Sequence, residues 1–443
     1  MKLQPQQILS AGFLGIILIG SIILTLPVCS ASGVPTNFID ALFTSASAVC
    51  VTGLAVVNTA TYWSLFGKIV IFLLIQIGGL GYMTLATLFI IIIGKQMSLT
   101  SRMAFSEQIQ VFAAQELKRF ILYIVRITLI IEFIGFVLLS FEWVPDFGWI
   151  KGLWYSGFHS VSAFCNAGFS IFENNLADYQ GSWLVNLTIS MLIVLGGIGY
   201  IVLSDLYSYI RTKHIFLHTK VVLVATFILI FASVLLIFAF EYDNSMTLGS
   251  MSLKERLLAA LFQSVSVRTA GFNTINISYM TYPALFMMLV LMFVGASPSG
   301  TGGGIKTTTA ATVISTMAAF FNWRADVNIF KKKIPEETVR KSLILTLLAC
   351  FFIFFITLLL LILEQSEFFE TLFEVVSAFA TCGLSIARET SLSFSSLFSG
   401  SGKLLIILTM FIGRLGPITI ASAMLTDKGS ANFRYAEDKI MIG

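Results

Sequence analysis

Charge is scarce in this chain: Asp, Glu, Lys and Arg make up only 11% of its 443 residues, against roughly 25% in an ordinary soluble domain. Histidine is scarcer still, with three residues in all, which leaves little for convergent acid–base or metal chemistry. His214 and His218 stand four apart, but beside Lys213 and Lys220, as on a solvated helix face. Five cysteines are too few and too scattered for a disulfide framework. These shortages count against an enzyme and against a cross-linked secreted module. The abundant class is apolar: 57% of residues are hydrophobic, 41 of them Phe, and mean hydropathy is +0.91. That composition belongs to the membrane class.

Eight apolar stretches follow one another: Ile8–Leu26, Ile69–Ile93, Phe120–Leu139, Leu184–Leu203, Val221–Phe240, Leu285–Gly295, Leu343–Leu363 and Leu404–Leu425. A spanning helix needs about 20 residues, and seven stretches suffice; the sixth is interrupted by glycines. The first is longer than a signal-peptide core of about 7–15 residues. Basic residues gather on one side of this pattern, at Lys95–Arg119, Arg211–Lys220, Arg324–Lys341 and both termini, including Lys428, Arg434 and Lys439. The positive-inside rule makes that side, and both termini, cytoplasmic. The net charge of +4 thus reports topology, and no nucleic-acid partner is expected. Glu364, Glu367, Glu370 and Glu374 fall on the opposite side, where acidic groups can gather cations.

One segment recurs four times. Its copies are Phe43-Thr-Ser-Ala-Ser-Ala-Val-Cys-Val-Thr-Gly-Leu54, then Phe158–Phe169, Leu261–Phe272 and Phe373–Leu384, each ending in Gly followed by Leu or Phe. Each lies between two spans and is too short to cross, as a re-entrant helix is. A second glycine motif follows in the next span: Ile77-Gly-Gly-Leu-Gly-Tyr82, Leu195-Gly-Gly-Ile-Gly-Tyr200 and Ile412-Gly-Arg-Leu-Gly-Pro417. The third copy departs there, with five glycines between Gly295 and Gly304. The expected fold is therefore an all-α polytopic membrane protein of four helix–pore-loop–helix units, eight transmembrane helices around one central pore. The units are placed at 1–94, 95–210, 211–318 and 319–443, the third carrying an intramembrane glycine-rich loop.

The arrangement resembles the Trk/Ktr/HKT superfamily of potassium transporters, closest to the bacterial KtrB-type membrane subunit, over essentially the whole chain. The resemblance implies potassium uptake through a channel-like, single-chain pseudo-tetramer. Gly53, Gly168, Gly271 and Gly383 would be the filter glycines, helped by carbonyls of Val51, Thr52, Asn166, Ala167, Thr269, Ala270, Thr381 and Cys382. Backbone carbonyls replace the water of a potassium ion in such loops. Serine at the first filter position resembles the sodium-preferring plant class, so Gly53 argues for potassium. None of the four loops has a second glycine two residues on, which implies a simpler filter than that of potassium channels.

The tract at Gly300, Gly302, Gly303 and Gly304 cannot continue a helix cheaply, and irregular backbone at membrane depth belongs in protein or in a wet cavity. By resemblance it is a gate beneath the filter, joined by Arg414. The tract approaches a phosphate-binding loop, but Ile305 stands where that motif requires Gly. No cofactor is expected in the chain itself. The resemblance implies a homodimer in the bacterial cell membrane, seated on a cytosolic nucleotide-binding RCK-type ring that takes ATP or ADP, with sodium as an activator. A sodium/potassium symporter is the alternative; it would show two-fold repeats with broken helices. Glu132, within the third span, has no evident partner in sequence.

Overall fold

The structure, a computed structural model, describes residues 5–81, 84, 117–387 and 392–416. The first quarter is α1 (Pro5–Thr25), α2 (Phe38–Val49) and α3 (Leu65–Leu80). The second is α4 (Leu117–Phe147), α5 (Trp149–Phe164) and α6 (Trp183–Gly197), followed by α7 (Tyr200–Thr212). The third is α8 (Leu217–Glu241), α9 (Leu253–Ser266), α10 (Tyr282–Phe293) and α11 (Thr307–Phe321). A small antiparallel hairpin, β1 (Asn328–Ile329) with β2 (Lys332–Lys333), interrupts the helices. The fourth quarter is α12 (Glu336–Glu364), α13 (Phe368–Ala380) and α14 (Gly400–Leu415).

Each quarter opens on a long apolar helix. Among the described residues, α1, α4, α8 and α12 hold stretches long and apolar enough to cross a membrane, and α6 with α7 would make a fifth as a bent pair. Their outer faces expose residues such as Phe133, Phe227 and Phe351, as lipid contact requires. The core is instead built by the short helices α2, α5, α9 and α13. Phe43, Phe158 and Phe373 begin their copies of the motif, Phe262 is the second residue of the third copy, and all are buried.

Hydrogen bonds repeat with the sequence. Ser45, Ser160 and Ser264 each donate from the short helix to a main-chain carbonyl of the long one, at Ile17 (2.7 Å), Glu132 (2.6 Å) and Ile230 (2.9 Å). The helix after each loop starts in α3, α6 and α14 on a serine N-cap, Ser64, Ser182 and Ser399, whose hydroxyl accepts a first-turn N–H. The first and second quarters thus share both devices, the third has the bracing serine and the fourth the serine N-cap.

The fourth apolar stretch differs from expectation. Leu184–Leu203 is not one straight span: α6 stops at Gly197, α7 starts at Tyr200, and the two are bent by 97°. Gly199 between them has φ +94°, and the matching glycines after α3 and α14, Gly81 and Gly416, have φ +77° and +88°. Side chains disfavour that region, so the last glycine of the second motif ends the helix each time. The rest of the stretches Ile69–Ile93 and Leu404–Leu425, the 94/95 boundary, the basic loop 95–116 and the basic tail lie outside the described residues.

Candidate functional site

The four short helices end at loops of one shape. Val51, Asn166, Thr269 and Thr381 have φ of +58°, +60°, +70° and +49°, and two residues later Gly53, Gly168, Gly271 and Gly383 have +96°, +68°, +76° and +89°. An ordinary strand points successive carbonyls to opposite sides; alternating handedness turns them to one side. A left-handed conformation costs a non-glycine residue about 1–2 kcal/mol, and such strain gathers where function demands a geometry.

The loops close on one another. A methyl on Gly53 would lie 2.7 Å from the Ala167 carbonyl oxygen and 3.0 Å from Gly168 Cα. One on Gly168 would lie 2.8 Å from the Ala270 oxygen and 3.0 Å from Gly271 Cα. The same test on Gly271 meets the Cys382 carbonyl, and on Gly383 it meets the Thr52 carbonyl and, at 2.9 Å, Gly53 Cα. Eight residues of the four sequence triplets, the glycines and the residues before them (Thr52, Ala167, Ala270 and Cys382), are therefore brought together in a ring, while Val51, Asn166, Thr269 and Thr381 form the left-handed turns that lead into it. Gly53 N and Gly383 N donate to the hydroxyls of Ser47 and Ser377 (3.1 Å each). Ser162 donates to Phe169 O at 2.8 Å, and Ser266 to Phe272 O. The Cys382 thiol turns away, towards Val267 O at 3.3 Å, which leaves its carbonyl for the ring.

Outside the ring lies a vestibule of about 320 Å³, lined by the four glycines and the loops that follow them. Glu173 is its acidic lining residue. The fourth-quarter acids do other work: Glu374 is buried and accepts from Ser385 and Ser395, while Glu364 accepts from Ser399 at the start of α14. Among the described residues, no group of three or more His, Cys, Asp or Glu side chains could hold a metal ion.

Beneath the ring, the segment from Gly295 to Lys306 folds back on itself, with Gly295 N donating to Ile305 O (2.9 Å) and Ala296 N to Gly303 O (3.2 Å). The break in α6 supplies its footing. Ser297 N and Thr301 N donate to the freed carbonyls of Gly197 (3.0 Å) and Gly196 (3.1 Å), which a continuing helix would have occupied. Thr301 Oγ1 donates to Phe164 O at 3.1 Å, and Gly303 N to Thr381 Oγ1 at 3.0 Å. Close approach explains the glycines. A methyl on Gly300 would meet Gly197 O at 2.7 Å; on Gly302, the Thr269 hydroxyl; on Gly303, the Thr381 side chain; Gly304 has φ +71°. The loop thus presses on the inner side of the third and fourth ring loops.

Arg414 reaches this loop. Its guanidinium donates to Thr301 O and, at 2.5 Å, to Gly78 O near the end of α3. Carbonyls take the place of the carboxylate that a salt bridge would require. Sequence reasoning missed Gln76, whose amide donates to Glu132 Oε2 at 3.1 Å, and the link from the Cys165 thiol to Glu132 Oε1 at 3.8 Å. It also missed the bracing serines, although their recurrence in the motif is the signal that could have found them.

A family model described as TrkH, cation transport protein, matches residues 5–433. The chain is 38% identical to the potassium/sodium uptake protein NtpJ of Enterococcus hirae, covering 100% of this chain and 98% of that protein. It is 39% identical to the Ktr system potassium uptake protein B of Bacillus subtilis, with the same coverage. The crystal structure of the potassium transporter TrkH from Vibrio parahaemolyticus superposes with a TM-score of 0.65 over 94% of this chain and 85% of that one, at 18% identity.

Proposed function

This chain belongs to the TrkH cation transport protein family, and we propose that it takes up potassium across the cell membrane, through the ring of four loops. The observation that carries this reading is the shared geometry of Val51–Gly53, Asn166–Gly168, Thr269–Gly271 and Thr381–Gly383, left-handed at both ends in every copy. Four loops of one shape closed on each other offer carbonyls around a single axis, the chemistry that replaces a potassium ion's hydration shell. The chain then works as a pseudo-tetramer in one polypeptide. It is a transporter and not an enzyme, in keeping with relatives named as uptake proteins.

Flux in this reading is channel-like and gated from within. The glycine-rich loop at 295–306 stands across the pathway below the filter, and Arg414 holds it there while opposing entry of further cations. Control comes from outside the chain. Relatives are named as parts of a Ktr system, which supports a separate subunit; we assign that role to a cytosolic RCK-type ring binding ATP or ADP beneath a homodimer. Both termini face the cytoplasm, and sodium acts as an activator.

A sodium/potassium symporter is favoured by one observation, the name of the Enterococcus hirae relative. The bend between α6 and α7 adds a second broken helix of the kind symporters use. Four like loops around one axis are the stronger feature, because two-fold repeats do not produce them. Expression with a regulatory ring in a bacterium that lacks its own potassium uptake tests the proposal. Growth and potassium accumulation at low external potassium are expected; verified membrane expression without either would contradict it.

A further inference from the structure

Glu132 lies within α4, a 31-residue apolar helix, and only 6% of its surface is exposed. A carboxylate at such a place costs about 3 kcal/mol on insertion scales, and intramembrane ionisable residues mark function by default. The molecule contains its own control. The carbonyls that receive the short-helix serines belong to Ile17 in the first quarter, Glu132 in the second and Ile230 in the third. Isoleucine meets the same packing duty twice, so the fold does not need an acid here.

The carboxylate has a definite address. Gln76, from α3 of the first quarter, donates to Oε2 at 3.1 Å, and the Cys165 thiol lies 3.8 Å from Oε1 and 3.9 Å from the Gln76 amide oxygen. Three polar side chains from three elements thus form a closed triangle. Cys165 directly precedes Asn166, the left-handed residue of the second loop. Gly79, three residues after Gln76, lacks the side chain that would strike the Cys165 sulfur. The triangle therefore bears on the second loop from the residue behind its left-handed turn.

We infer that Glu132 is a positioning residue for ion selectivity: its carboxylate, anchored by Gln76, sets the second loop from behind through Cys165, and the preference for potassium over sodium depends on it. The inference rests on the potassium-conducting reading above. The ring's carbonyl spacing decides how well potassium is coordinated relative to a smaller ion. A loop released from its rear support relaxes and loses that discrimination. Because one loop of four is affected, transport continues while selectivity falls.

The test is the ratio of potassium to sodium flux into liposomes, with the amount of folded protein measured on the same preparation. Glu132→Ile, the residue of the first and third quarters, and Gln76→Leu should each lower the ratio by about fivefold or more while folded protein is retained. Glu132→Gln keeps the shape and replaces one accepting oxygen with an amide NH2, and should give an intermediate ratio; it decides the matter if Glu132→Ile does not fold. Selective flux that Glu132→Gln and Gln76→Leu both keep at the unaltered ratio would overturn the inference alone. A chain that conducts neither ion would overturn the functional reading and this inference with it.

Discussion

Arg414, near the end of α14, donates a hydrogen bond to the main-chain carbonyl of Thr301 at the crown of the glycine-rich loop. The same guanidinium holds Gly78 O of α3, so one charged group ties the loop between the first and fourth quarters. Hydrogen bonds from a charged donor contribute about 1.5–3 kcal/mol each. That is enough to decide whether a short loop stays in place.

Arg414→Ala should therefore leave the protein folded and raise potassium flux per folded molecule. With every 1.4 kcal/mol worth a tenfold change, loss of the clamp should raise flux about tenfold or more. Size-exclusion yield and liposome flux, read on one preparation, check both halves. Loss of folded protein without a gain in flux would assign the arginine to structure alone.

Deleting residues 299–304 removes the part of the loop that presses on Thr269 and Thr381. Flux should rise and become independent of any regulatory subunit. Combined with Arg414→Ala, the deletion should add little, because both changes remove one obstruction. Additive increases would mean that two separate barriers exist.

Gly199→Ala probes the break in the fourth stretch. The residue has φ +94°, and its added methyl would strike the Pro298 carbonyl. Strain of this kind costs about 1–3 kcal/mol, so thermal stability should fall and the loop should lose its footing on Gly196 and Gly197. Gly15→Ala in α1, with nothing within 4 Å of its added methyl, should leave stability and flux unchanged.

The repeat and the ring glycines were legible in sequence because both rest on local motifs recurring in one order. The left-handed Val51 and Thr381 were not, since valine and threonine ordinarily avoid that region and only closure of the ring imposes it. Gly199 carried a readable signal, the last glycine of a motif, but an apolar stretch gives hydropathy no reason to break there. Glu132 could not be paired from sequence because Gln76 lies 56 residues away. Glu374 looked like a vestibule acid. Its counterparts Thr44, His159 and Gln263, each following the buried phenylalanine, are all buried polar groups. In the fourth quarter that position is a brace, through the Glu374–Ser395 bond.

Potassium and sodium flux through the purified chain in liposomes tests the ring most directly, comparing the unaltered ring with Gly53→Ser, each also with residues 299–304 deleted. A side chain at Gly53 crowds Ala167 and Gly168 and shifts the carbonyls they present. The unaltered ring should pass potassium in preference to sodium. Gly53→Ser should lower that ratio about tenfold, a change of roughly 1.4 kcal/mol, with sodium flux maintained or raised. An unchanged ratio in folded Gly53→Ser protein would contradict the assignment of the ring as the filter.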